Sequence, residues 1–82
     1  MKLDLAGRTV AITGASGGLG IELAKALRQK GARLALLDLD VSRTQTQAIE
    51  LGGPDVARGW AADVTSLDEL QEVMAEVADH FG

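Results

Sequence analysis

Thr13-Gly14-Ala15-Ser16-Gly17-Gly18-Leu19-Gly20 is the stretch that decides how this chain is read. It follows an apolar run, Val10-Ala11-Ile12, and leads into Ile21-Glu22-Leu23-Ala24-Lys25-Ala26-Leu27, whose apolar positions recur at helical spacing. A glycine-rich turn between a strand and a helix lets backbone N–H groups come close to a phosphate, and the helix N-terminus adds partial positive charge. The same glycines would also serve a bare strand-to-helix turn that needs positive φ or close packing. The strand before and the helix after favour a pyrophosphate cradle made of Gly14, Ser16, Gly17, Gly18, Leu19 and Gly20.

The rest of the chain repeats this strand–helix alternation. The first strand covers residues 9–13. The first helix covers residues 18–30, with Leu19, Leu23, Ala26 and Leu27 as its apolar stripe and Gly31 as the residue beyond its end. Residues 33–39 form the second strand. Their nearly unbroken run Leu34-Ala35-Leu36-Leu37 suits a parallel strand covered on both faces. A polar, Thr-rich second helix over residues 42–51 opens on Ser42 and Gln45 at capping-box spacing, and Gly52-Gly53-Pro54-Asp55 is a turn. A third strand covers residues 56–64. The third helix starts at Ser66, with Glu69 completing a capping box and Leu67, Leu70, Val73, Met74, Val77 and Phe81 as its stripe. Short connections between alternating elements imply right-handed crossovers and a parallel sheet. The expected fold is α/β, βαβαβα, with three strands in the order 3-2-1. Helices one and two lie on one face and helix three on the other.

Composition narrows the function. The 82 residues suffice for one small domain, and 46% hydrophobic content is that of a globular chain. A net charge of −4 argues against nucleic acid or an anionic membrane surface as a partner. Phosphate binding through backbone amides needs no basic side chain and remains open. The chain has no cysteine and a single histidine, which excludes disulfides and thiolate chemistry and leaves no set of zinc ligands. No apolar run reaches the roughly 20 residues of a membrane span. The opening Met1-Lys2-Leu3-Asp4-Leu5 lacks the apolar stretch of a signal peptide, so a cytoplasmic location is expected.

Two carboxylates stand where a nucleotide would need them. Asp38 ends the second strand about 20 residues after the loop, the spacing at which an acidic residue accepts hydrogen bonds from adenosine ribose hydroxyls. Its charge would repel a 2′-phosphate, and no basic residue occupies Gly17 or Leu39. NAD is therefore expected over NADP, although Arg33 and Arg43 lie near enough in sequence to leave NADP open. The other reading of Asp38 is a solvated strand end. Asp63, beside Val64, ends the third strand and could accept from the adenine amino group; it could equally be an acid favoured near the start of helix three. His80 is expected to complement the dipole at the end of helix three, and Trp60 to pack in a core or interface.

The octet, Asp38 and Asp63-Val64 resemble the T-G-x-x-x-G-x-G loop, the NAD-selecting acid and the adenine-ring motif of the short-chain dehydrogenase/reductase family. Leu5-Ala6-Gly7-Arg8-Thr9-Val10-Ala11-Ile12 is similar to that family's N-terminus. The resemblance covers the whole chain but only the first third of such an enzyme. It implies a partial Rossmann fold, residues 1–82 being the dinucleotide-binding portion. It also implies Gly14, Ser16, Gly17, Gly18, Leu19, Gly20, Asp38, Leu39, Asp63 and Val64 as cofactor contacts. Members transfer a hydride between a nicotinamide cofactor and an alcohol or carbonyl. The family's catalytic tyrosine has no counterpart, since the chain contains no tyrosine, and its catalytic serine and lysine match no position here. These residues alone are expected to bind without turnover. The open edge of strand one, where a fourth strand would pair, is expected to favour self-association. A stand-alone nucleotide-binding module is a second reading. An S-adenosylmethionine-dependent methyltransferase fragment is a third, weakened by the three-residue gap between Gly14 and Gly18.

Overall fold

The structure is a computed structural model and describes residues 5–82. The expectation about a signal peptide rests on residues 1–4 and lies outside the described residues. The elements run β1 (Thr9–Thr13), α1 (Gly18–Gln29), β2 (Arg33–Asp38), α2 (Val41–Glu50), β3 (Ala57–Ala61) and α3 (Leu67–Phe81). All strand pairs are parallel and the order is β1-β2-β3, which is the expected 3-2-1 counted from the other edge. The register sets Thr13 beside Leu37 and Asp38 beside Ala61, so all three strands end along one side of the sheet.

The central strand explains both cores. Leu34 and Leu36 pack with Ile12, Ala15, Ala24, Ala32, Ala48 and Ala57 on the face covered by α1 and α2. Ala35 and Leu37 pack with Trp60, Ala62, Val73, Val77 and Phe81 on the face covered by α3. The unbroken apolar run in β2 therefore serves two opposite layers. Each of its three leucines is buried almost completely and contributes roughly 1.5–3 kcal/mol.

The helix faces depart from the expected stripes. Leu19 is 86% exposed, and Leu23 and Ala26 are exposed as well; Ala24 is the buried residue of α1. The physical reason is distance. A β-carbon at Gly20 would stand 2.6 Å from the Gly14 carbonyl oxygen and 2.9 Å from Ala15 Cα, so α1 can approach the strand-to-helix turn only on its small residues. Leu19 and Leu23 lie outside that contact, whereas Leu27 of the expected stripe is half-buried and packs on the core. In α3, Val73, Val77 and Phe81 are buried and Leu70 half-buried, while Leu67 and Met74 are exposed; Met74 is thus not core. It lines a cleft with Thr9, Val77 and Phe81 beside β1.

Caps and boundaries also shift. The N-cap of α2 is Asp40, not Ser42: its Oδ1 accepts from the Arg43 N–H at 3.4 Å and from the Ser42 hydroxyl at 2.6 Å. An aspartate two residues upstream carries a full charge at the helix N-terminus, which a serine cannot match. Ser66 does cap α3, accepting from the Glu69 N–H at 3.4 Å. The Glu69 carboxylate, however, reaches back to the Asp63 N–H at 3.2 Å rather than to Ser66, so only half of the capping box forms. β2 stops at Asp38, and β3 spans five residues because its last expected residues turn toward α3.

His80 is the basic residue in the last turn of α3, the position expected of it. Its Nε2 lies 2.7 Å from the Pro54 carbonyl oxygen and its Nδ1 3.3 Å from Arg58 Nη1, an arrangement in which Nε2–H donates and Nδ1 accepts. The cation at that helix end is Arg33, whose Nη1 donates to the Phe81 carbonyl at 2.8 Å and whose Nη2 donates to Gly7 at 3.1 Å. Trp60 belongs to the core under α3, with the Arg58 guanidinium 4.6 Å from its ring centre.

Candidate functional site

At the side where the strands end, Gly14, Leu37, Asp38, Leu39, Ala62, Asp63, Val64 and Thr65 line a cleft of 240 Å³. The sequence-derived candidates Gly14, Asp38, Leu39, Asp63 and Val64 thus meet in one place, although they come from three different strand ends. Leu39 is 76% exposed and Val64 49% exposed, leaving apolar surface at the cleft that the fold itself does not cover. Ser16 joins through hydrogen bonds to Asp38. Gly17, Gly18 and Gly20 lie at the start of α1, outside the cleft lining but continuous with Gly14 along the loop. Leu19 contributes no side chain to the cleft; what it offers is its backbone.

The loop is built for close approach. Gly14 sits at φ +63°, a left-handed conformation that an L side chain adopts only under strain. It accepts from the Gly17 N–H at 3.1 Å, which closes the turn. Gly17 is the N-cap of α1 and supplies no side-chain cap. The first helical N–H with a backbone partner is that of Ile21, which donates to Gly17 at 2.9 Å. The N–H groups of Gly18, Leu19 and Gly20 precede it and have no intrahelical acceptor, as in the first turn of any helix. Gly18 is informative for a different reason. A β-carbon there would meet nothing within 4 Å, so the fold has no steric need for glycine at that position. Open space above a bare backbone, next to unpaired N–H groups at a positive helix end, fits a phosphate group.

Both strand-end acids are already hydrogen-bonded. Asp38 Oδ2 accepts from the Ser16 hydroxyl at 2.7 Å and from the Ser16 N–H at 3.2 Å, while Oδ1 accepts from the Asp40 N–H at 3.1 Å. The Ser16 hydroxyl first, then the Asp40 N–H, holds the Asp38 carboxyl below the usual aspartate range. Asp63 Oδ1 accepts from the Thr65 hydroxyl at 2.6 Å and the Thr65 N–H at 2.9 Å, which lowers its pKa in the same way. Asp63 is thus the hinge of the turn into α3 while still lining the cleft. Sequence reasoning missed Thr65. An Asp-x-Thr pattern just before a helix is the signal for such a turn.

A larger groove of 450 Å³ runs between α1 and α2, lined by Ser16, Ile21, Ser42, Arg43, Thr46, Gln47 and Glu50. Arg43, one of the two arginines that left NADP open, pairs there with Asp40 at 3.4 Å, with both groups exposed. Arg33, the other, is at the opposite end of β2, bound to Phe81 and Gly7. No described helix is long and apolar enough to cross a membrane.

Known proteins share this fold. The family described as short chain dehydrogenase matches residues 8–82. D-threitol dehydrogenase of Mycolicibacterium smegmatis is 39% identical over 82 residues, 99% of this chain and 31% of that protein. Among solved structures, a short-chain dehydrogenase/reductase (glucose/ribitol dehydrogenase) from Brucella melitensis superposes with a TM-score of 0.89 at 35% identity, covering 100% of this chain and 35% of that one. A putative D-mannonate oxidoreductase from Haemophilus influenza with bound NAD superposes with a TM-score of 0.88 at 34% identity, covering 96% of this chain and 29% of that one. The chain therefore spans about a third of the length of these relatives. A match from residue 8 to the last residue, together with the parallel β1-β2-β3 sheet, places this chain in the short-chain dehydrogenase family.

Proposed function

We propose that this chain is the adenosine- and pyrophosphate-binding part of an NAD-preferring short-chain dehydrogenase/reductase. The observation that carries the proposal is the convergence of Gly14, Asp38, Leu39, Asp63 and Val64 on one cleft beside the uncapped N-terminus of α1. In this reading the N–H groups of Gly18, Leu19 and Gly20, with the loop residues Ser16 and Gly17, hold the pyrophosphate. Asp38 accepts from the ribose. Leu39 and Val64 flank the adenine ring, and the free oxygen of Asp63 accepts from its amino group. Asp38 also disfavours a 2′-phosphate, Arg33 is bound at the opposite end of β2, and the Arg43 charge is partly offset by its exposed pair with Asp40. The nicotinamide would supply the hydride chemistry. The family's proton-moving tyrosine, serine and lysine match no position among residues 1–82, so in this reading these residues bind cofactor in the cytoplasm without turnover of their own.

Gly18 gives the direct test. Because a β-carbon at Gly18 meets nothing, Gly18→Ala leaves thermal stability within a few degrees of the parent. It weakens NAD and ADP-ribose binding by about tenfold or more, since the methyl group occupies the space a phosphate needs and one well-placed contact is worth about 1.5 kcal/mol. Isothermal titration reads the affinity. Unchanged affinity in a stable variant removes the pyrophosphate assignment. Preference for S-adenosylmethionine over NAD in the parent would move the chain to the methyltransferase class.

The open side of β1 supports a second property of these residues in isolation. With no strand beyond β1 among the described residues, its outer edge is open to pairing with another copy. Sedimentation at increasing concentration is expected to show a monomer–oligomer equilibrium. A monomer throughout the micromolar to millimolar range contradicts it.

A further inference from the structure

The single histidine of the chain, His80, meets its single tryptophan, Trp60, edge-on with ring centres 5.9 Å apart. The contact lies toward the start of β3, beside Pro54 and Arg58, whereas the cofactor cleft lies beyond the end of that strand. The two ring nitrogens of His80 face groups of opposite character. The Pro54 carbonyl oxygen, 2.7 Å from Nε2, can only accept, and the Arg58 guanidinium, 3.3 Å from Nδ1, can only donate. Together they fix a neutral ring, protonated at Nε2 and bare at Nδ1. A second proton has to go on Nδ1, where it points at a group that is itself a charged donor. The contact with Arg58 and a charge on His80 therefore exclude each other.

The surroundings leave the two states close in energy. Arg58 also covers Trp60, with its guanidinium 4.6 Å from the ring centre. The Trp60 indole N–H is buried and has no acceptor among the described residues, a cost that water relieves once the cover moves. The α3 dipole favours charge on His80, which lies in the last turn of that helix. No carboxylate overrides these terms. Asp55 beside Pro54, and Glu76 and Asp79 on α3, are the neighbouring acids in sequence, but the ion pairs among the described residues are Lys25–Glu22 and Arg43–Asp40. Arg33 of β2 is engaged one residue further on, at the Phe81 carbonyl.

We propose that His80 is a proton-operated clamp on Arg58: neutral, it holds the guanidinium over Trp60, and charged, it releases Arg58 and keeps only Pro54. Because the closed state excludes the second proton, falling pH opens the clamp, within the range of about pH 8 to 5 where a histidine changes charge. The Pro54 bond survives, since Nε2–H remains a donor, so α3 stays seated on the turn before β3 and the change is local. Opening frees a guanidinium on the edge strand β3 and admits water to Trp60.

NMR of the full chain without cofactor, between about pH 8 and pH 5, tests this, because one imidazole and one indole give unambiguous signals. Asp38, Asp40 and Asp63, all held below the usual aspartate range, stay ionised throughout that window. At the alkaline end the imidazole is expected as the Nε2–H tautomer. On acidification the Arg58 guanidinium and Trp60 indole N–H signals move with the same midpoint as the His80 ring, and exchange of the indole proton with water rises severalfold. In Arg58→Met the His80 midpoint moves upward by about half a pH unit or more, the size expected when a like charge in contact is removed. In His80→Gln the Arg58 and Trp60 signals stay flat. An Nδ1–H tautomer at the alkaline end, Arg58 and Trp60 signals that ignore the titration of His80, or an unmoved midpoint in Arg58→Met overturns the clamp.

Discussion

Gly20→Ala is expected to lower the melting temperature by about 10–20 °C. Helix propensity alone predicts the opposite sign, since alanine is favoured over glycine inside a helix by about 1 kcal/mol. The added β-carbon would stand 2.6 Å from the Gly14 carbonyl oxygen and 2.9 Å from both Ala15 Cα and its carbonyl oxygen. These are backbone atoms, which cannot rotate away as a side chain could. Relief requires α1 to move off the turn, and the buried contact of Ala24 goes with it. Overpacking costs about 1–3 kcal/mol, and a clash with backbone atoms stands at the upper end of that range. A domain of this size has a total stability of only about 5–10 kcal/mol, and each kcal/mol shifts its melting point by about 4–8 °C. Fluorescence of Trp60, the single tryptophan and a buried one, follows the transition. Gly59→Ala should behave similarly, because its β-carbon would collide with Thr44 of α2, including the Thr44 backbone carbon at 2.8 Å. A melting point within a few degrees of the parent for Gly20→Ala would show that α1 does not rest on the turn as described.

The second large effect concerns Asp38. Asp38→Ala is expected to weaken NAD binding by about ten- to a hundredfold, corresponding to the 1.5–3 kcal/mol of hydrogen bonds to a charged acceptor. NADP should lose far less, because the same change removes the negative charge that faces a 2′-phosphate. The measured quantity is the ratio of the two affinities, which should fall toward one. An unchanged ratio would mean that another group selects the cofactor. Acidity offers a separate check with a definite sign. The folded-state pKa of Asp38 lies below its ordinary value, so the stabilisation it gives is complete above that value and is lost as pH falls through the folded value. NAD affinity should therefore be flat from pH 7 to about 5 and decline only below about pH 4. Asp40 and Asp63 are shifted in the same direction, by Ser42 and by Thr65 respectively, so acid destabilisation of the fold should fall in the same range.

The elements that carry long-range order were the legible ones. The run Leu34-Ala35-Leu36-Leu37 implied a strand covered on both faces, and the two core layers divide its side chains alternately. The glycine octet implied a strand–turn–helix, and the strand ends fell on one side of the sheet as expected. Helix faces were less legible, because periodicity weighs leucines and ignores glycines. In α1 the closest contact is made through Gly20 and Ala24, which have almost no hydrophobic weight; of the leucines at matching spacing Leu27 packs on the core, while Leu19 and Leu23 are exposed. The sequence reading places the α2 cap at Ser42, but Asp40, also a good N-cap and two residues upstream, takes that position. At the site, residue types and strand positions were readable, but the bond from Ser16 to Asp38 spans 22 residues, and nothing local in the sequence encodes it. Arg33 was likewise weighed as a neighbour of the cofactor and proves to cap α3 at the far end of its strand.

The most direct measurement is a residue-resolved map of ADP-ribose binding, by backbone amide NMR of the full chain. Shifts are expected at Gly14 to Gly20, at Asp38 and Leu39, and at Asp63 and Val64, with Ser16 and Gly18 among the largest. Shifts confined to the groove between α1 and α2, around Arg43, Thr46 and Gln47, or none at saturating ligand, would contradict it.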